Sequence, residues 1–323
     1  MNEALLSRHS HASYPAGLRE VAGRSQHLRA LIAGPEIVVA PGAFDCISAR
    51  LVEVGGFSAL YVTGSGVSMS ALGAPDVGAL SFAEILDRVR RIADVVSIPV
   101  IADADTGYGG PINIIRTVRE FERAGVSGIQ LEDQSWPKKC GHEPGRCIVA
   151  AETMCARIAA AVDARSDPDT IIIARTDARA IDGLDAAIER ACRYREMGAD
   201  VIFVEAPQSE VELAAVPPRV PAPTLVNLVE GGRTPLLSNR RLQKLGFRIA
   251  IYPNALTRIF AKAGQELLAA LSAAGTTTGM AERMLDHDAL WSLFENARWR
   301  ALEDRFLIAA ESAEQTHKET VHP

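Results

Sequence analysis

Eight short runs rich in Val and Ile recur along this chain, most followed by a stretch with helical spacing. That alternation constrains the fold more than any other feature. The runs are Ile37–Ala40, Ala59–Thr63, Pro99–Ala102, Gly128–Leu131, Thr170–Ala174, Val201–Val204, Thr224–Val226 and Ile249–Ile251. A strand covered on both faces needs apolar side chains on both, so it reads as a continuous apolar run. Between the runs, Phe82–Val95, Ile112–Arg123, Thr153–Asp163 and Leu184–Met197 carry charges at helical spacing. Repeated strand-then-helix units imply a parallel sheet with crossover helices. Eight such units match a closed (β/α)8, TIM-type barrel. The competitor is a doubly wound open sheet, which usually carries a Gly-rich phosphate turn after its first strand. Here that strand leads into Pro41-Gly42-Ala43-Phe44-Asp45, which is not such a turn.

Helix ends are marked by Ser81 ahead of Phe82-Ala83-Glu84, a capping-box pattern, and by Gly55-Gly56 behind Val52-Glu53-Val54, which suits a left-handed C-terminal cap. The segment Pro217 to Pro223 is expected to be a loop leading into a strand. Residues 1–30 lack a continuous apolar core and carry Arg, His and Glu, so they read as an extension rather than a signal peptide. The barrel domain is expected over 31–275. A helical arm over 276–323 follows, with helices near 279–287 and 288–313 that gain stability by docking on the barrel or on a neighbouring subunit.

With 48% hydrophobic and 23% charged residues, the chain has the apolar surface to fold. Its longest apolar stretches are too short to span a bilayer. A net charge of −6 argues against nucleic acid or an anionic membrane as the main partner. The five cysteines are odd in number and form no CxxC pair. That argues against a disulfide framework or zinc ribbon and for a reducing cytoplasm.

Catalytic residues of such barrels gather where strands end. The third run ends Asp103-Ala104-Asp105, the fourth Glu132-Asp133, the fifth Arg175-Thr176-Asp177, the sixth Glu205 and the seventh Asn227. Several acids on one rim repel one another unless a cation sits among them. In a regular strand Asp103 and Asp105 would share a face, and oxygen-only ligation points to Mg2+, with Mn2+ as the alternative. The bland alternative is a set of acids that cap helices or pair with Arg. A long segment then runs Trp136-Pro137-Lys138-Lys139-Cys140-Gly141-His142. Neighbouring cations favour thiolate, so Cys140 has the most activated setting of any cysteine here and can act as acid or nucleophile. A Cys140–His142 metal pair lacks a second ligand pair at zinc-site spacing.

These residues resemble the isocitrate lyase/phosphoenolpyruvate mutase superfamily over about Pro41 to Ala261. The lyase branch is marked by Lys138-Lys139-Cys140-Gly141-His142. The stretches Asp103 to Gly109, Leu131 to Gln134 and Ala174 to Asp177 agree in order and spacing. The resemblance implies a barrel whose last helix is exchanged between subunits, in a homotetramer built as a dimer of dimers. It implies Mg2+ at Asp103 and Asp105, with Asp76 and Glu132 reaching it directly or through water. It implies that Thr63, Gly64 and Ser65 hold a carboxylate end of the substrate, that Arg175 binds a carboxylate, and that Glu205 and Asn227 line the pocket. The expected catalytic group is Cys140 with Lys139 and His142 beside it and Glu132. Tyr61 is the expected base, and the Cys140 loop the expected lid.

The implied reaction breaks the C2–C3 bond of a 2-hydroxy di- or tricarboxylate into a 2-oxo acid and the enediolate of a second acid, which Cys140 protonates. Val229 and Ala255 stand where the methylisocitrate-cleaving branch usually carries hydroxyls for a third carboxylate. A buried carboxylate without partners is costly, so an alkylmalate-type diacid is the expected substrate. The alternatives are 2-methylisocitrate cleavage and oxaloacetate hydrolysis. A non-catalytic barrel that only binds a dicarboxylate would not need both Cys140 and the acid pair.

Overall fold

The computed structural model describes residues 14–18, 22–141, 143 and 145–321, with side chains described as far as 308. His142 and most of the expected extension lie outside the described residues. Eight parallel strands close into a barrel in sequence order: β1 (Val38–Ala43), β2 (Leu60–Val62), β3 (Val100–Asp103), β4 (Gly128–Glu132), β5 (Ile171–Thr176), β6 (Val201–Val204), β7 (Thr224–Asn227) and β8 (Ile249–Tyr252). β1 closes on β8 with Val38 opposite Ile249 and Ala40 opposite Ile251. Each strand falls on one of the expected apolar runs.

Side chains alternate along every strand. Ile101, Ile171, Ile173, Val201, Phe203, Leu225, Ile249 and Ile251 fill the barrel interior. Their neighbours Ala102, Ile172, Ala174, Ile202, Val226 and Ala250 face the surrounding helices. Leu28 and Ile32, from helix Arg24–Ala33, join the interior cluster. That helix therefore belongs to the compact unit Gly23–Glu266. The barrel unit begins before residue 31, because burying Leu28 removes its apolar surface from water.

The expected capping box forms at helix Phe82–Asp94: the Ser81 N–H donates to Glu84 Oε2 at 2.8 Å while Ser81 Oγ accepts from the Glu84 N–H. The expected loop over 217–223 is corrected in part, since helix Glu210–Arg219 runs through Pro217 and Pro218. Ser209 caps its start, Glu210 and Glu212 favour its first turn, and the fixed φ of proline suits the last turn before the helix stops.

The second unit joins Leu267–Pro323 to the N-terminal residues, and within it the Ala16 N–H donates to Glu295 Oε2 at 2.8 Å. The helix expected near 279–287 is instead a short 3-10 turn, Thr278–Arg283, followed by helices His287–Leu293 and Asn296–Val321. Gly279 in that turn lowers helix propensity, and Asp286 caps a fresh start. Among the described residues no helix is long and apolar enough to cross a membrane.

Candidate active site

The period of two that fills the barrel also builds its site. Two residues beyond the inward-facing Tyr61, Ile101, Ile173, Phe203 and Leu225 come Thr63, Asp103, Arg175, Glu205 and Asn227, all buried at the C-terminal rim. They line a cavity of about 40 Å³ together with Ser65, Asp76 and Cys140. A water molecule fits such a space and a dicarboxylate does not. Gly141 makes the roof: a Cβ there would come within 2.4 Å of Arg175 Nη2 and 2.7 Å of Glu205 Oε2. The loop that carries Cys140 is thus seated directly on the site.

Asp103 Oδ1 accepts the Asp105 backbone N–H at 3.0 Å and Gln130 Nε2 at 3.2 Å. The pair does not share a regular strand. β3 ends at Asp103, and Asp105 adopts a left-handed conformation (φ 48°) that turns the chain back. Such a backbone is costly for a non-glycine residue and is held only where the surroundings dictate it. Both acids still meet at one spot: a Cβ added to Gly64 would lie 3.1 Å from Asp103 Oδ2 and 3.5 Å from Asp105 Oδ1. Burial raises the Asp105 carboxyl to about 7 against the pull of Lys138, and Asp103 and Asp76 push it the same way. Burial likewise raises Glu132, whose Oε1 has no hydrogen-bond partner.

A cation answers this charge. Lys138 is buried, with Nζ 2.5 Å from Asp76 and 2.6 Å from Asp105. Its neighbour Lys139 is exposed, and its backbone is pinned by Gln134, whose Oε1 accepts its N–H and whose Nε2 donates to its carbonyl. The structure thus brings Lys138 to the acid cluster and leaves the expected Lys139 outside it. Adjacent residues on an extended segment point to opposite sides, and only one of them can face the barrel.

Arg175 is enclosed by acids. Its Nε and Nη2 bind Asp177 at 2.9 and 3.0 Å, Nη1 meets Glu132 at 3.1 Å, and Nη2 lies 3.5 Å from Glu205. Phe203 backs the guanidinium at 5.4 Å. Asn227 Nδ2 donates to Glu205 Oε2 at 3.1 Å. Thr63 caps helix Gly64–Leu72 by accepting the Gly66 N–H. The first turn of that helix, including Ser65, therefore opens at the rim, where unsatisfied N–H groups favour an anion.

The structure also places Tyr61 and Ala255. The Tyr61 hydroxyl donates to Gln130 Oε1 at 3.0 Å, and burial and Asp103 push its phenol well above the usual range. In this arrangement the phenol is a hydrogen-bond donor to Gln130. Ala255 begins helix Ala255–Ala274 and does not line the cavity, whereas Pro253 and Asn254 do, and Thr63 Oγ1 lies 3.5 Å from Asn254 Oδ1. Val229 lines the cavity as expected. Sequence reasoning missed Gln130, Asn254 and Arg146. For Gln130 the signal was present, since it lies two residues before Glu132 on the same face.

Comparison with known proteins agrees with this geometry. The family described as phosphoenolpyruvate phosphomutase matches residues 28–272. The chain belongs to that family, the phosphoenolpyruvate mutase/isocitrate lyase group of barrel enzymes. It is 47% identical to 2,3-dimethylmalate lyase of Eubacterium barkeri, over 86% of this chain and 96% of that protein. It is 41% identical to a probable 2-methylisocitrate lyase of Corynebacterium glutamicum, over 90% of this chain and 94% of that one. The crystal structure of a 2,3-dimethylmalate lyase superposes with a TM-score of 0.81 at 35% identity, covering 91% of this chain and 96% of that one. Phosphonopyruvate hydrolase, crystallised with oxalate and Mg2+, superposes with a TM-score of 0.79 at 30% identity, covering 88% and 99%.

Proposed function

We propose that this protein is a Mg2+-dependent carbon–carbon lyase that cleaves the C2–C3 bond of a 2-hydroxy dicarboxylate of the alkylmalate type. The observation that carries this reading is the juxtaposition at one rim of a buried acid cluster, a buried guanidinium and Cys140 on a loop seated over them. The 47% identity to 2,3-dimethylmalate lyase supports the substrate class.

The residues fit a hard divalent cation. Asp103 and Asp105 converge beside Gly64, and the Lys138 ammonium lies against the acids as a stand-in positive charge. Among the described residues no three acids, histidines or cysteines form a ready-made ligand set. Mg2+ takes one or two carboxylates and keeps several waters, so the Asp103 and Asp105 pair is the donor set proposed for it. Asp103 and Asp105 would hold it, with Asp76 and Glu132 acting through water. Bound there, the cation would stabilise the negative charge left on the C2 oxygen when its proton is removed.

This chain's own groups do the rest. The N-terminus of helix Gly64–Leu72 and Arg175 bind the two carboxylates. A base of the buried acid cluster, for which the unpartnered Glu132 Oε1 is placed, takes the C2 hydroxyl proton, and the C2–C3 electron pair moves onto C3. C2 becomes the carbonyl of the 2-oxo acid, and the enediolate left on the second acid takes a proton from Cys140. The loop must lift to admit a diacid into so small a cavity, and once back in place it keeps water from the enediolate. Val229 on the cavity wall suits an alkyl substituent. Exposed Trp299, Phe306 and Leu307 on helix Asn296–Val321 support the exchange of C-terminal helices in a homotetramer.

Metal removal tests the reading. Enzyme stripped with EDTA should release no 2-oxo acid from a 2-alkylmalate and should recover with added Mg2+ or Mn2+. Asp103→Ala should stay inactive at ordinary Mg2+. Full turnover by metal-free enzyme would overturn it.

A further inference from the structure

We propose that Arg146 is a positioning residue for substrate carboxylate binding, acting through Asp177 to keep the charge of Arg175 available to the diacid; this rests on the lyase reading above. Arg146 lies near the end of the loop that carries Cys140, and its side chain is only 2% exposed. Its Nη1 donates to Asp177 Oδ1 at 2.6 Å. The same oxygen accepts Arg175 Nη2 at 3.0 Å, and the other Asp177 oxygen accepts Arg175 Nε at 2.9 Å. One buried carboxylate thus joins a guanidinium from the loop to the guanidinium that faces the cavity.

The charge balance gives this junction a purpose. Three buried acids, Asp177, Glu132 and Glu205, lean on Arg175. With Arg146 in place, two cations share that load, and Asp177 draws on both. Without it, Asp177 rests on Arg175, which also meets Glu205 and Glu132, while Lys138 draws on Glu132 as a second cation, in a site shielded from water where charges interact strongly. A substrate carboxylate would then meet an arginine already outweighed by protein acids, with nothing fixing Asp177 on its outer side. Arg146 is anchored for this task, because the adjacent Cys147 carbonyl accepts the Ser135 N–H at 2.9 Å and the Val149 N–H donates to the Asp133 carbonyl at 2.8 Å. Arg146 is not among the residues that line the cavity, and its bond to Asp177 is the route by which its effect passes.

Oxalate titration by calorimetry in the presence of Mg2+ tests the proposal without relying on turnover, alongside KM and kcat for a 2-alkylmalate. Arg146→Met should weaken oxalate binding and raise KM on the order of tenfold or more, with a smaller change in kcat. Arg146→Lys should recover most of the affinity, since it restores the charge. Asp177→Asn in the Arg146→Met background should recover part of it, since it removes the charge that Arg146 balances. Thermal melting of each variant separates a folding defect from a binding defect. A variant that melts early yet binds oxalate like the wild type would overturn the proposal, as would an Arg146→Lys enzyme no better than Arg146→Met. A wild type that binds oxalate but cleaves no diacid would count against the lyase reading while the Arg146 comparison still decides this one. A wild type with no affinity for oxalate would overturn both.

Discussion

Cys140 and Lys138 sit two residues apart and are given different work by the barrel beneath them. Cys140 lines the cavity beside Gly141, and on the proposed reaction its thiol would protonate the carbanion formed there. Cys140→Ser keeps the side-chain size but makes a far weaker acid, and turnover should fall by about 10²-fold or more with diacid binding retained. Unchanged turnover would make the cysteine structural. Lys138 answers Asp76 and Asp105 from a buried position, whereas Lys139 is exposed. Lys138→Met should therefore cut kcat/KM on the order of tenfold or more, while Lys139→Met should stay within about twofold. Equal losses in the two variants would contradict this assignment. The sequence offered both lysines on equal terms, because residue type alone does not say which of two neighbours faces the barrel. The same limit applies at Asn254 and Ala255, where a shift of one position exchanged a polar wall residue for one outside the cavity.

At the scale of elements, more was legible. A strand covered on both faces leaves a continuous apolar run, and all eight runs proved to be strands. Alternation then carried the reading into the site. Asp103, Arg175, Glu205 and Asn227 continue the inward face of their strands, so their convergence follows from the sequence pattern. Helix signals with a local mechanism also held, as at Ser81, whose box is completed by Glu84. Ser81→Ala should lower stability by about 1 kcal/mol without altering kcat/KM, as read from urea unfolding. No loss would mean that tertiary packing alone sets this helix start. What stayed hidden were features decided by packing at a distance: the left-handed turn at Asp105, the enlistment of helix Arg24–Ala33 into the interior cluster, and the junction of Arg146 with Asp177. None has a periodic or compositional mark.

At the scale of the whole molecule, one chemical logic links the fold to the reaction. A parallel barrel gathers the ends of all its strands on one rim, and here those ends carry more acid than the protein's own cations neutralise. On the proposed reading a divalent cation would answer part of that acid, while Arg175 and the N-terminus of helix Gly64–Leu72 would answer the substrate carboxylates. On the same reading Val229 on the wall would favour an alkyl group over a third carboxylate at that spot, with Asn254 a polar group lining the same cavity. The most direct test is a product assay over 2-alkylmalates, 2-methylisocitrate and oxaloacetate with Mg2+ present, in which each product is identified and kcat/KM compared. A 2-alkylmalate should be cleaved with the highest kcat/KM, to equal amounts of a 2-oxo acid and a carboxylic acid. Preferred cleavage of 2-methylisocitrate, preferred hydrolysis of oxaloacetate, or no carbon–carbon cleavage at all would contradict it.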